Sequence, residues 1–101
     1  HFKVISLGTK NNVEAVDDIS IGSLNASLVH PREVFKNAVK RNAAGLILVH
    51  NHPSGDPTPS QEDIIITKRI IEAGEIMGIT VYDHIIFGDR RFVSLKEQNK
   101  I

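Results

Sequence analysis

The stretch "GLILVHNHPSGDPTPSQED", Gly45 to Asp63, decides how this chain is read. It opens on a continuous apolar run of strand length and β-branched character, the pattern of a central strand covered on both faces. His50 and His52 end that run, and a loop follows that holds three of the chain's four prolines. Ser60-x-x-Asp63 then restarts the pattern as a helix, with a hydroxyl residue at the cap and an acid in the first turn. On a strand, residues two apart point to one face, so the two imidazoles can aim at one point if the extended backbone continues to the strand's end. Residues three apart share a helix face, so the Ser60 hydroxyl and the Asp63 carboxylate project together toward whatever that strand end presents.

Working outward, "HFKVISLG" alternates apolar and polar positions from Phe2 to Leu7, and "TKNN" supplies turn residues after it, which predicts a strand and a hairpin turn. Val13, Ala15 and Val16 continue in extended spacing, while Ile19 to Leu28 is interrupted by Gly22 and reads as a bent strand or two short ones. "HPREVFKNAVKRNAAG" predicts an amphipathic helix, with Pro31 at its first position, Val34, Phe35, Ala38 and Val39 at helical spacing and Lys40 and Arg41 near its end. After the proline loop, Ile66, Ile70, Ala73 and Met77 form one stripe of a long helix, flanked by Ile64 and Ile71, and Gly78 suits its C-terminal cap. "ITVYDHIIFGD" and "RRFVSL" read as strands and "KEQNKI" as a frayed tail. Phe2, Phe35, Phe87 and Phe92 lie on periodic segments and are assigned to the core. The expectation is an α/β domain with helices packed on the faces of one mixed sheet, a single domain over residues 1–101.

Composition narrows the function. With 41% apolar residues and no apolar run near the ~20 residues of a membrane helix, the chain reads as globular, without a signal peptide, and is expected in the cytoplasm. Twelve basic and twelve acidic residues cancel, so the general positive field that non-specific nucleic-acid binding requires is missing. Arg90-Arg91 is a charged turn, too short for a nucleic-acid patch. Zero cysteines exclude disulfides, a thiol nucleophile, Cys-ligated zinc and iron–sulfur clusters. The first residue is His1 rather than Met, and the chain is expected to be the C-terminal part of a longer protein.

Two imidazoles and one carboxylate, His50, His52 and Asp63, make a three-ligand set of the kind that holds catalytic zinc with a fourth position open. Asp56 and Glu62 are weaker candidates for the carboxylate: Asp56 sits in a Gly-Asp-Pro turn, and Glu62 lies about 100° round the helix from Asp63. Structural roles compete. Either histidine alone could be a loop residue bonded to backbone, and Ser60 and Asp63 would serve as helix cap and dipole partner without any chemistry. Asp83-His84 could orient a ligand from behind, although a half-buried histidine bonded to backbone is the simpler account. His30 leads into the helix at Pro31.

His50-Asn51-His52, seven residues, Ser60, two residues, Asp63 matches the His-x-His-x(7)-Ser-x(2)-Asp signature of the JAB/MPN metalloprotease family, also called the JAMM motif. With "VHPREVFKNAVKRNAA" before it and "DHIIFG" after it, the chain resembles the RadC-like branch of that family over nearly its whole length. The resemblance implies a cytidine-deaminase-like α/β fold, zinc held by His50, His52 and Asp63, and Ser60 as a catalytic residue that stabilises an oxyanion rather than attacking as a nucleophile. It also implies a glutamate base just before the first core strand. That strand here starts at Phe2, so the glutamate is expected at or before the start of the given sequence, leaving this stretch weak or inactive alone. Glu14 and Glu33 could stand in, but read more simply as a strand-surface charge and a first-turn helix acid.

Three functions compete. The leading one is a zinc-dependent peptidase or isopeptidase domain acting on a peptide or protein substrate. A catalytically silent binding module of the same fold is the second, and a DNA-repair-associated accessory domain, prompted by the RadC resemblance, the third. A nucleoside deaminase is set aside because its His-x-Glu and Pro-Cys-x-x-Cys ligands are absent.

Overall fold

Alternation in the first strand sets the sheet. In the computed structural model, which describes residues 2–19 and 29–101, strand β1 (Phe2–Leu7) buries Phe2 and Val4 on one face and turns Lys3 to the other. A tight turn in which the Gly8 N–H donates to the Asn12 carbonyl, with Asn11 at φ 60°, returns the chain into β2 (Val13–Ile19), antiparallel to β1. Helix α1 (Pro31–Lys40) has Pro31 in its first turn, where the missing N–H costs nothing. Strand β3 (Gly45–Asn51) then inserts on the other side of β1, antiparallel to it. Helix α2 (Gln61–Met77) crosses over so that β4 (Thr80–Phe87) can lie parallel to β3, and β5 (Phe92–Ser94) closes the edge antiparallel to β4. The sheet order is β2-β1-β3-β4-β5.

One core joins the two helices to one face of this sheet. Val34, Phe35 and Ala38 from α1 and Ile66 and Ile70 from α2 pack with Phe2, Val4, Leu46, Leu48 and Val81 in a single buried cluster. This corrects the expectation of a β3 covered on both faces. Among the described residues the second face carries no helix, and Ile47, Val49 and Ile85 on it are only partly buried.

Other core assignments change for related reasons. Phe2 and Phe35 are buried, whereas Phe87 and Phe92 pair with each other, ring centroids 6.2 Å apart, at the exposed β4–β5 end. Val39 and Met77 point outward; on α2 the buried stripe runs through Ile66, Ile70 and Gly74, with Ala73 and Ile71 at its margin. The final residues are an ordered turn rather than a fray, since Leu95 is fully buried and the Lys100 N–H donates back to its carbonyl at 2.9 Å. Ile19 ends β2, and the rest of the segment expected to bend at Gly22 lies outside the described residues.

Candidate metal centre

The end of β3 presents the first histidine. His50 lies on the helix-covered face beside Leu46 and Leu48, paired across the sheet with Phe2 on one side and Ile86 on the other. That placement buries it to 6% exposure. One residue beyond the strand, the His52 N–H still donates to the Phe87 carbonyl at 2.8 Å, so the extended backbone continues and both rings fall on one side. Their centroids are 4.9 Å apart, edge to face.

The proline loop then doubles back. Gly55, at φ 88°, donates its N–H to the His52 carbonyl, and its own carbonyl accepts from the Asp89 N–H at 2.6 Å. A Cβ at Gly88 would stand 2.3 Å from that Gly55 oxygen, so glycine is required where the loops meet. The Asp56 carboxylate is spent inside the loop, accepting from the Thr58 N–H and hydroxyl at 3.0 and 2.7 Å. That removes it as a ligand, and it is exposed. Its backbone carbonyl matters more, standing 2.9 Å from His52 Nδ1.

Helix α2 delivers the acid through a capping box. Ser60 Oγ accepts from the Asp63 N–H at 3.0 Å, and Asp63 Oδ2 accepts from the Ser60 N–H at 2.8 Å. The cap turns Asp63 inward, where it is 1% exposed; Glu62 stays on the outer surface. His52 Nε2 lies 3.0 Å from Asp63 Oδ2, and His50 Nδ1 lies 3.6 Å from Asp63 Oδ1. One ligand atom from each of His50, His52 and Asp63 falls within 4.8 Å of the others.

The donors fit a cation. A carbonyl oxygen can only accept, so His52 Nδ1 must carry a hydrogen to bond Asp56, and a neutral His52 then turns a bare Nε2 lone pair on the Asp63 carboxylate. Two acceptors at 3.0 Å repel unless a positive charge joins them, either a proton on Nε2 or a metal ion. His50 Nδ1 adds a buried nitrogen with no hydrogen-bond partner. Burial, more than the neighbouring His52, holds the His50 pKa below its ordinary 6.5 despite the attraction of Asp63. Burial alone would raise Asp63, but hydrogen bonds from Ser60 and the nearby histidines outweigh it and hold the carboxyl below its ordinary 3.8. Both groups are therefore in the deprotonated forms that can bind a metal at neutral pH.

A family model for the RadC-like JAB domain matches residues 1–100. The chain belongs to the RadC-like JAB domain family. It is 64% identical to a UPF0758 protein of Moorella thermoacetica over 98% of this chain and 43% of that protein. A UPF0758 protein of Desulforamulus reducens is 65% identical, and one of a Geobacillus species 63%, each matched across 100% of this chain and 44% and 45% of its own length. The chain thus spans less than half the length of the curated relatives it matches. Among the described residues no helix is long and apolar enough to cross a membrane.

In this RadC-like domain the structure brings together the four motif residues read from the sequence, while the Asp56 carboxylate, Glu62 and Glu14 are turned away from them and Glu33 is not in the His50–His52–Asp63 group. Glu14 sits beside Gly8, at the end of β1 remote from Phe2 and His50, and Glu33 contacts Arg32. His84 is corrected: it is fully buried, and its Nδ1 meets the Thr67 hydroxyl at 2.6 Å rather than backbone. Three contributors escaped sequence reading. Phe2 forms the apolar wall, its ring centroid 5.6 Å from those of both His50 and His84. The Asp56 carbonyl and Thr67 are the others, and only Thr67 left a signal, being four residues after Asp63 and so on the same helix face.

Proposed function

We propose that this domain is a metallohydrolase that holds Zn2+ through His50, His52 and Asp63 and hydrolyses an amide bond of a peptide or protein, as a peptidase or isopeptidase. One observation carries the reading: His52 Nδ1 bonds the Asp56 carbonyl at 2.9 Å, so the Nε2 that faces the Asp63 carboxylate at 3.0 Å is a lone pair in the neutral ring and suits a cation between the two. Two histidines and one acid, without a fourth protein ligand gathered among the described residues, are the set of an open hydrolytic site rather than a closed structural one. When bound there, zinc would lower the pKa of water to roughly 7 and polarise a carbonyl.

The chain's own groups supply the rest. The Asp56 carbonyl fixes the His52 tautomer, and the capping box fixes Asp63. Ser60 Oγ is engaged as an acceptor in that cap, so its O–H hydrogen is available to donate to a carbonyl oxygen as negative charge builds on it. Phe2 keeps water from the back of His50. A proton must also pass to the leaving nitrogen, and Glu14 lies at the far end of β1 while Glu33 is not among the grouped His50, His52 and Asp63. We assign that role to a carboxylate from the part of the protein that its longer relatives have and this chain does not span.

The test uses the full-length protein. Elemental analysis should find about one zinc per chain, lost in Asp63→Asn, together with hydrolysis of a peptide or isopeptide library. Ser60→Ala should lose about 0.5–2 kcal/mol of stability from the cap and about 10²–10³-fold in turnover from the oxyanion. Ser60→Asp should keep the cap but place a charge against the oxyanion, so full activity in that variant rejects the role given to Ser60. Zinc bound with no hydrolysis of any amide would leave the silent binding module as the correct reading.

A further inference from the structure

Behind the three ligands lies a second layer of polar groups that the proposed chemistry does not use. Thr67 and His84 are both completely buried, one on α2 and one on β4, and meet at 2.6 Å through Thr67 Oγ1 and His84 Nδ1. The Thr67 hydroxyl also lies 2.6 Å from the Asp63 backbone carbonyl. A carbonyl cannot donate, so Thr67 gives its hydrogen to Asp63, and the same oxygen accepts from His84 Nδ1–H. That assigns the His84 tautomer and leaves its Nε2 as a buried lone pair without a hydrogen-bond partner.

An apolar side chain would fill the place of His84 without stranding a polar atom, so its packing alone does not account for it. Its connections do. Through Thr67 it grips the carbonyl of Asp63 itself, the ligand on the first turn of α2. Through its ring it packs on the other buried ligand: the His84 and His50 centroids are 5.8 Å apart at 33°, and Phe2 closes the triangle at 5.6 Å from each. β4 is anchored in turn, because Asp83 accepts from the His84 and Lys96 N–H groups at 2.7 and 3.0 Å and from the Ser94 hydroxyl.

We propose that Thr67 and His84 are positioning residues for the metal centre: their hydrogen bond ties the first turn of α2 to β4 and sets the separation of Asp63 from His50. This rests on the metal-binding reading above. The brace acts through the ligands and touches neither metal nor substrate. Removing it would let the helix start and the strand end drift apart, so that the cation loses its fixed geometry while the fold survives.

The experiment compares two pairs of variants in the full-length protein, Thr67→Val against Thr67→Ser and His84→Leu against His84→Asn. Serine keeps the hydroxyl, and asparagine keeps an N–H near the Nδ1 position. Zn2+ affinity is read by competition with a chromophoric chelator and geometry by the visible absorption of bound Co2+. Urea midpoints are measured alongside. Thr67→Val and His84→Leu should each weaken Zn2+ binding about 10–100-fold and alter the Co2+ spectrum, with serine and asparagine restoring both toward wild type. The double variant Thr67→Val/His84→Leu should fall clearly short of the sum of the two single effects, because both substitutions remove the same Thr67–His84 bond. If one pair fails to fold, the other still gives the comparison. Unchanged affinity and spectrum in folded Thr67→Val or His84→Leu, even with a lower urea midpoint, overturns the proposal and reduces the bond to a structural role. A wild-type protein that takes up neither Zn2+ nor Co2+ at this site overturns it together with the metal reading, a result distinct from the first.

Discussion

His52 shows how much one backbone carbonyl decides. Its sequence neighbours mark it as one half of a His-x-His pair, but the hydrogen bond that assigns its tautomer comes from Asp56, a residue discounted for its side chain. Residue types announce side-chain chemistry, and main-chain partners leave no such trace. A different limit applies to His84, whose side-chain partner Thr67 lies seventeen positions away on another element. Its burial has a measurable consequence. Loss of solvation, reinforced by His50 and only partly opposed by Asp63 and Asp83, pushes the His84 pKa from 6.5 down to about 4. Between those values the unfolded chain binds a proton that the folded one refuses, so this contribution to stability is fully present above pH 6.5 and is lost as pH falls toward 4. At 1.36 kcal/mol per pH unit the loss is of order 3 kcal/mol. His50, also lowered by burial, acts in the same direction, and Asp63 adds to it at lower pH. The metal-free protein should therefore show a urea midpoint that declines steadily from pH 6.5 downward, and less steeply in His84→Asn. A flat profile over that range would mean that His84 is solvated or charged in the fold.

Helix α2 was the most legible element, because both of its ends carry local signals. Ser60 and Asp63 form the capping box their spacing announces, and Gly78 takes the left-handed conformation, φ 74°, of a C-terminal cap. What periodicity misjudged was the last turn, where Ala73 and Met77 were assigned to the stripe and Gly74 is the buried residue. The cause is the backbone's return path: the Ile79 N–H donates to the Gly74 carbonyl at 2.9 Å as the chain turns into β4. Hydrophobic spacing records side chains and is blind to a main chain passing this close. A Cβ at Gly74 would stand 2.4 Å from the Ile79 carbonyl oxygen and 3.3 Å from the Phe35 ring. Helix propensity alone predicts that Gly74→Ala gains about 1 kcal/mol. The backbone contact reverses the sign, and a loss of about 1–3 kcal/mol is expected. Gly78→Asn, in open space and in a conformation asparagine tolerates, should stay near wild type. Chemical denaturation of both variants settles the matter, and a stabilised Gly74→Ala would show that the turn into β4 yields easily.

The apolar run of β3 correctly marked the centre of the sheet but not what covers it. Counting apolar residues measures how much surface seeks burial, and both helices proved to join one core on one face. The domain nevertheless places its site as the motif spacing requires, because that spacing spans a strand end, a loop and a helix start. A metal ion held there would link β3, through His50 and the residue just beyond it, to the first turn of α2. Such a link exists only in the folded state, so binding must stabilise the fold by mass action, by about 2.7 kcal/mol when free Zn2+ is 100 times its Kd. We expect added Zn2+ to raise the urea midpoint and excess chelator to return it to the metal-free value. Asp63→Asn is the informative control, since an amide oxygen can still accept from the Ser60 N–H and preserve the cap while losing the charge that a cation needs. That variant should fold, respond weakly to pH in the carboxylate range and show no zinc-dependent shift. A shift of equal size in Asp63→Asn and wild type would place the bound zinc elsewhere, for example on His30, and would remove the link between sheet and helix on which the proposed hydrolase rests.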